Sequence, residues 1–261
     1  VTCGADIATL GSKRTGAQIT DARFHVSNVR LIDATGAETP VALTADGKWQ
    51  SDLVALLDFE NATGLCKDSG TTDMRDVVLG KAPTGTYTGV AFDLGVPFAV
   101  NHADVATAKA PLNVKALWWN WQGGYKFARI DLKTKVAAPN DAFFIHLGST
   151  GCGEAMGGHD HGDAAAHDHA ATDTKAMTST MAMTSTMPMT AAMKMNDGSM
   201  PPSMPCANPN VVSVRLTRFN AARDVIVADL STLLRGVDLS NPTPKPAGCM
   251  SGVDDKDCVG L

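Results

Sequence analysis

The stretch from Met156 to Pro205 constrains this chain most, because it cannot help to build a core. It contains Ala, Thr, Ser, Met, His and Asp, with no Val, Ile, Leu, Phe, Tyr or Trp. Such a composition buries too little apolar surface to offset the entropy of ordering it. A long disordered insert is therefore expected over 156–205, and the fold must come from the residues on either side. Those residues carry short apolar runs between Gly, Pro and Asn/Asp punctuation, at 23–32, 54–59, 87–94, 125–132 and 142–147. The same style resumes beyond the insert at 211–219 and 224–229, followed by a helical turn at 230–234. Short strands at this spacing, with no alternation of strand and helix, predict an all-β antiparallel sandwich or barrel-like single domain over 1–261, interrupted by the insert.

Six cysteines form an even set with no CxxC pair, which favours disulfides over a zinc ribbon or thioredoxin-like site. Cys152 and Cys206 bracket the insert, and joining them would make a long insertion tolerable. Cys249 and Cys258 can close a short loop, which leaves Cys3 with Cys66. Bridged cysteines imply an oxidising compartment, the periplasm or the cell exterior. Cys3 also reads as a lipid-bearing residue of a surface lipoprotein. The formal net charge of −5 offers no basic stripe for nucleic acid. No apolar run approaches the roughly 20 residues of a membrane-spanning helix, and the Val1-Thr2-Cys3 start lacks a signal-peptide pattern, as in a trimmed N-terminus.

The insert has its own chemistry. His159, His161, His167 and His169 form two His-x-His pairs with interleaved aspartates. Three Met-x-Met pairs follow: Met181 with Met183, Met187 with Met189, and Met193 with Met195. Ten of the twelve methionines lie between Met156 and Met204. Thioethers suit Cu(I) and imidazoles suit Cu(II), so the combination points to copper, held loosely because nothing preorganises it. Outside the insert the histidines are His25, His102 and His146. Three of four tryptophans, Trp118, Trp119 and Trp121, fall within four positions. If that segment is a strand, Trp119 and Trp121 share one face. On composition alone it reads as an aromatic core cluster.

Several strings together resemble a known family. They are Phe24-His25-Val26-Ser27-Asn28-Val29-Arg30-Leu31, Leu94-Gly95-Val96-Pro97-Phe98 with Asn101-His102, and Pro111-Leu112-Asn113. Further matches are Trp119-Asn120-Trp121-Gln122-Gly123-Gly124-Tyr125-Lys126-Phe127, His146-Leu147-Gly148-Ser149-Thr150-Gly151-Cys152, and Cys249-Met250-Ser251-Gly252 through Cys258. The chain resembles the MbnP-like family, the four-Cys WxW member of a metallo-mystery pair, over nearly its whole length except the insert. The resemblance implies a bacterial periplasmic or surface copper-binding protein whose partner is a di-haem, MauG-like peroxidase homologue. It also implies a tryptophan oxidised to kynurenine, here Trp119 or Trp121, whose aromatic amine joins histidines on copper. His102 and His146 are the expected ligands and His25 a third candidate. On this reading the chain is no enzyme but the substrate of its partner oxidase. The alternatives are a copper-dependent redox enzyme and a structural β-sandwich with a metal-binding tether.

Overall fold

A computed structural model describes residues 2–67, 71–120, 122–137, 141–153, 201–240 and 247–261. The described parts of Val1–Gly153 and Gly198–Leu261 belong to one compact unit. Glu154–Asp197, with the His and Met pairs of the insert, lies outside the described residues.

The spine of the fold is one 19-residue strand, β2 (Thr15–Asp33), preceded by β1 (Asp6–Leu10). Then come β3 (Glu38–Pro40), β4 (Ala42–Leu43), β5 (Val54–Asp58), β6 (Gly80–Lys81) and β7 (Tyr87–Leu94). Next are β8 (Ala128–Thr134), β9 (Ala142–Leu147), β10 (Val212–Leu216) and β11 (Ala247–Cys249). Nine of these form one sheet in the order β10-β7-β2-β8-β9-β11, with β1, β3 and β5 also paired to β2. The expected all-β class is what is found, with one qualification. The sheet is antiparallel except at one edge, where β11 runs parallel to β9. Strands from both sides of the insert enter this sheet, β10 on β7 and β11 on β9.

One long strand can serve so many neighbours because it does not stay flat. Its register against β8 slips between Ile19 and Asp21, and against β7 between Ser27 and Arg30. Asn28, inside the second slip, has φ 49°. Asparagine tolerates this left-handed conformation better than most residues, and such irregularities bend a strand.

Both faces of β2 are covered. Ala22 faces a cluster of Leu10, Ile130, Leu132, Phe143 and Ile145, completed by Leu234, Val237 and Leu239 from the C-terminal part. The short helix α2 (Leu230–Leu233) begins this cover, its start fixed by Asp229 accepting from the amides of Ser231 and Thr232. On the opposite face Val54, Val96, Leu112, Tyr125 and Phe127 make a second cluster.

Three disulfides join Cys3 to Cys66, Cys152 to Cys206 and Cys249 to Cys258, so none of the six cysteines is free. With Cys3 bonded to Cys66, its sulfur has no valence left for a thioether-linked lipid. Two strand expectations are corrected. The run 224–229 is not a strand, and Val225 and Val227 are 84% and 77% exposed. Its alternating valines have strand propensity, but no strand among the described residues takes up the segment's backbone. The run 125–132 begins as a strand only at Ala128, and Tyr125 instead makes an isolated bridge with Trp118. No helix among the described residues is long and apolar enough to cross a membrane.

Candidate metal centre

Trp118 and Tyr125 pair with each other at the base of a tight loop. A single 3-10 turn, Lys115–Leu117, leads into it. Trp118 then bridges to Tyr125, the Trp119 amide donates to the Gly124 carbonyl at 3.0 Å, and the Gly124 amide to the Asn120 carbonyl at 2.8 Å. Gln122 and Gly123 turn the chain beyond Asn120, and Trp121 lies outside the described residues, so the expectation that Trp119 and Trp121 share a face rests on the sequence pattern alone. Gly124 has φ 67°, and a Cβ there would stand 2.5 Å from the Asn101 carbonyl oxygen. Only glycine fits that conformation and approach. The Trp119 indole lies against Gly148, where a Cβ would come within 2.4 Å of its Cζ3. The Lys126 ammonium stands 5.8 Å from the centre of the Trp119 rings. Burial, then repulsion from Arg129, lowers the Lys126 pKa to about 8.

His25 sits on β2 beside this loop. Its Nδ1 lies 2.7 Å from the Lys126 carbonyl oxygen, which can only accept, so the ring proton is on Nδ1. Its Nε2 is buried with no hydrogen-bond partner among the described residues. The ring packs edge-on to Tyr125 at 6.0 Å. Burial lowers its pKa to about 4, so the imidazole is neutral at physiological pH. A fully buried imidazole with one nitrogen anchored to a carbonyl and the other bare is unusual, since buried polar atoms are ordinarily satisfied.

His102 follows the short helix α1 (Phe98–Asn101). The Asn101 Oδ1 accepts from the Tyr125 amide at 2.9 Å, which fixes the orientation of the side-chain amide. The Asn101 Nδ2 therefore donates to the His102 Nε2 at 3.2 Å. His102 Nε2 also lies 3.5 Å from the Cys206 sulfur. His25 and His102 are thus tied, one directly and one through Asn101, to the same Tyr125–Lys126 backbone.

His146 is placed differently. On β9 it pairs across the sheet with Arg129, and Arg129 pairs with Arg23. Its Nε2 is 2.7 Å from Asp131 Oδ1, so that nitrogen donates to a carboxylate. Burial lowers the His146 pKa despite Asp131. Hydrogen bonds from His146 and Arg129 outweigh burial and hold the Asp131 carboxyl below its usual range.

Asp131 belongs to a layer of buried charge that sequence reading missed. Arg23 clasps Asp21 through Nε at 2.8 Å and through a second, shorter contact, and reaches Glu60 at 4.0 Å. Arg129 binds Asp131 at 2.6 Å and Asp21 at 3.2 Å. Asp58 lies opposite Arg23 on β5. The available signal was Asp21-x-Arg23-x-His25 alternating with Ala22, Phe24 and Val26, a polar face within an otherwise apolar strand.

The candidate histidines therefore separate. His25 and His102 converge on the tryptophan loop, whereas the Nε2 of His146 is committed to an ion-pair network. The insert's candidate ligands stand apart from both groups. His159, His161, His167 and His169 lie outside the described residues, as do Met181, Met183, Met187, Met189, Met193 and Met195. The expectation that these ten residues bind metal therefore rests on the sequence pattern alone.

The sequence matches the MbnP family over residues 2–251. No curated protein matches it. Among solved structures it is similar to MbnP from Methylosinus trichosporium, at 30% identity and a TM-score of 0.70, covering 100% of this chain and 81% of that one. A family match over almost the entire length, a shared fold and a full-length relative at this identity lead to one conclusion: the chain belongs to the MbnP family.

Proposed function

We propose that this protein binds copper in the folded domain at His25 and His102, beside the tryptophan loop. The observation that carries the reading is the bare, buried Nε2 of His25, held in place by the Lys126 carbonyl through Nδ1. That is the arrangement of a metal-ligating imidazole, whose far nitrogen is oriented by a backbone carbonyl. A buried imidazole pair suits a low-coordinate Cu(I) ion. His146 remains a further candidate through Nδ1, since its Nε2 donates to Asp131.

The third donor is the aromatic amine formed when Trp119 or Trp121 is oxidised to kynurenine by a di-haem partner. Ring opening turns an indole, which does not bind metals, into an aniline that does. Of the two, Trp119 is the one placed against Gly148 and beneath Lys126. The protein is then a carrier and the substrate of its partner, not an enzyme, and works in the periplasm or at the cell surface. The His/Met insert collects copper loosely.

Cu(I) titration of the disulfide-bonded protein against a competing chelator tests the site. His25→Ala and His102→Ala should each abolish the tight site, and deleting 156–205 should remove only weak binding. A tight site that survives both His25→Ala and His102→Ala refutes the assignment. Peptide mapping of 115–126 from cells carrying the partner tests the oxidation, which removes one carbon and adds one oxygen. An unmodified peptide rejects kynurenine.

A further inference from the structure

We propose that the Cys152–Cys206 disulfide masks a second metal site, a two-thiolate, one-imidazole centre completed by His102 and formed on reduction. This goes beyond the copper reading and shares only His102 with it. His102 Nε2 lies 3.5 Å from Cys206 Sγ. A ligand atom from each of His102, Cys152 and Cys206 lies within 4.8 Å of the others. His102 and Cys206 are buried and Cys152 is half-buried.

Proximity in the oxidised state would mean little if reduction let the sulfurs drift apart, but the backbone holds them. Thr150 and Asn208 exchange amide hydrogen bonds at 2.9 and 3.0 Å, and the Ala207 amide donates to the Gly151 carbonyl at 3.0 Å. These bonds form a short antiparallel clasp that does not depend on the S–S bond. Asn101 positions the imidazole from the other side, its amide tied to the Tyr125 backbone and to Ser149 Oγ. The ligand set is therefore organised before any metal arrives.

The redox step needs an external dithiol. Its two thiols pass two electrons and two protons to the Cys152–Cys206 bond, which becomes two thiols while the dithiol becomes a disulfide. Metal binding then displaces the two protons to solvent. Two thiolates and one imidazole make a soft donor set for Cu(I), and one that accepts Zn(II) or Co(II) in tetrahedral form with a further ligand.

The test reduces the full-length protein with a phosphine, removes the phosphine without air and titrates with Co(II). Thiolate-to-cobalt charge-transfer absorption reports sulfur ligation, which the imidazoles and thioethers of the insert do not give. The reduced protein should develop this band to a stoichiometric end point, and the oxidised protein should not. Reduced Cys152→Ser/Cys206→Ser, with its other cysteines equally reduced, should lose the band, and His102→Ala should shift or weaken it several-fold. No band in the reduced protein overturns the proposal, as does an equal band in the double serine variant or an unchanged one in His102→Ala. Should the serine variant misfold, iodoacetamide labelling of the reduced wild type decides. Zn(II) should protect Cys152 and Cys206, and labelling that ignores zinc overturns the site. None of these readouts depends on Cu(I) binding by the oxidised protein, so the two readings can fail separately.

Discussion

Replacing Arg23 with Met is the most demanding test of the buried charge layer. Methionine keeps much of the volume and the apolar stem but removes the guanidinium. Asp21 then loses both contacts from Arg23 and keeps only Arg129 Nε at 3.2 Å, a cation it already shares with Asp131. Asp58 and Glu60, buried on the neighbouring strand and just beyond it, lose the cation that faces them. Breaking a buried ion pair by deleting one partner costs about 3–5 kcal/mol. The surviving Arg129 contact argues for the lower end, about 3 kcal/mol, which is a large share of the ~5–15 kcal/mol that stabilises a typical domain. In urea at neutral pH this should move the unfolding midpoint by roughly 1 M. The sign of the pH dependence follows from the carboxyls. Burial already raises Asp21 and Asp58, and removing the guanidinium raises them further. A carboxyl whose folded pKa exceeds its unfolded value destabilises the fold at high pH and ceases to do so once protonated. The deficit of the variant should therefore shrink as pH falls from neutrality through about 6. A loss under about 1 kcal/mol, or one that does not shrink on acidification, refutes the ion-pair reasoning.

Two further outcomes follow from single positions. In Asp58→Asn the amide can still accept from the Glu60 amide through Oδ1. Burial raises the Asp58 carboxyl to about 6, so the wild type should gain stability as pH falls from about 6 to about 4, its ordinary range, and the variant should lack that gain. Parallel urea midpoints across this window would contradict the assignment. Gly148→Ala should displace the Trp119 indole, since its Cβ would stand 2.4 Å from Cζ3 and 3.0 Å from the Tyr125 carbonyl oxygen. A cost of about 1–3 kcal/mol is expected, with a changed near-ultraviolet circular dichroism spectrum. An unchanged spectrum at full stability would place the indole elsewhere.

Local pattern sufficed for much of the fold. Runs at 54–59, 87–94 and 142–147 correspond closely to β5, β7 and β9, because their apolar content and punctuation are local properties. The run 224–229 shows the limit, since a strand exists only where another strand accepts its hydrogen bonds, and that depends on distant chain. The same limit applied to the site. Whether a histidine can bind a metal depends on which ring nitrogen is already engaged. His25 is answered by Lys126, 101 residues away, and His146 by Asp131 across the β8–β9 pair. Both histidines look alike in sequence, each flanked by apolar residues in a strand-like run. The tryptophan triplet was visible at once, but the turn that follows it depends on Asn120 and on the positive φ of Gly124.

The long strand β2 also bears on how the chain survives before it is folded. Five strands depend on β2, and two of them, β7 and β8, lie far downstream in the chain. During synthesis it therefore emerges as 19 residues of unpaired backbone. A segment of this length with aliphatic side chains at every position would stack readily on its own copies. Asp21, Arg23 and His25 interrupt it at every second residue. The charges that are costly to bury in the finished sheet act as gatekeepers against aggregation while the strand waits for its neighbours.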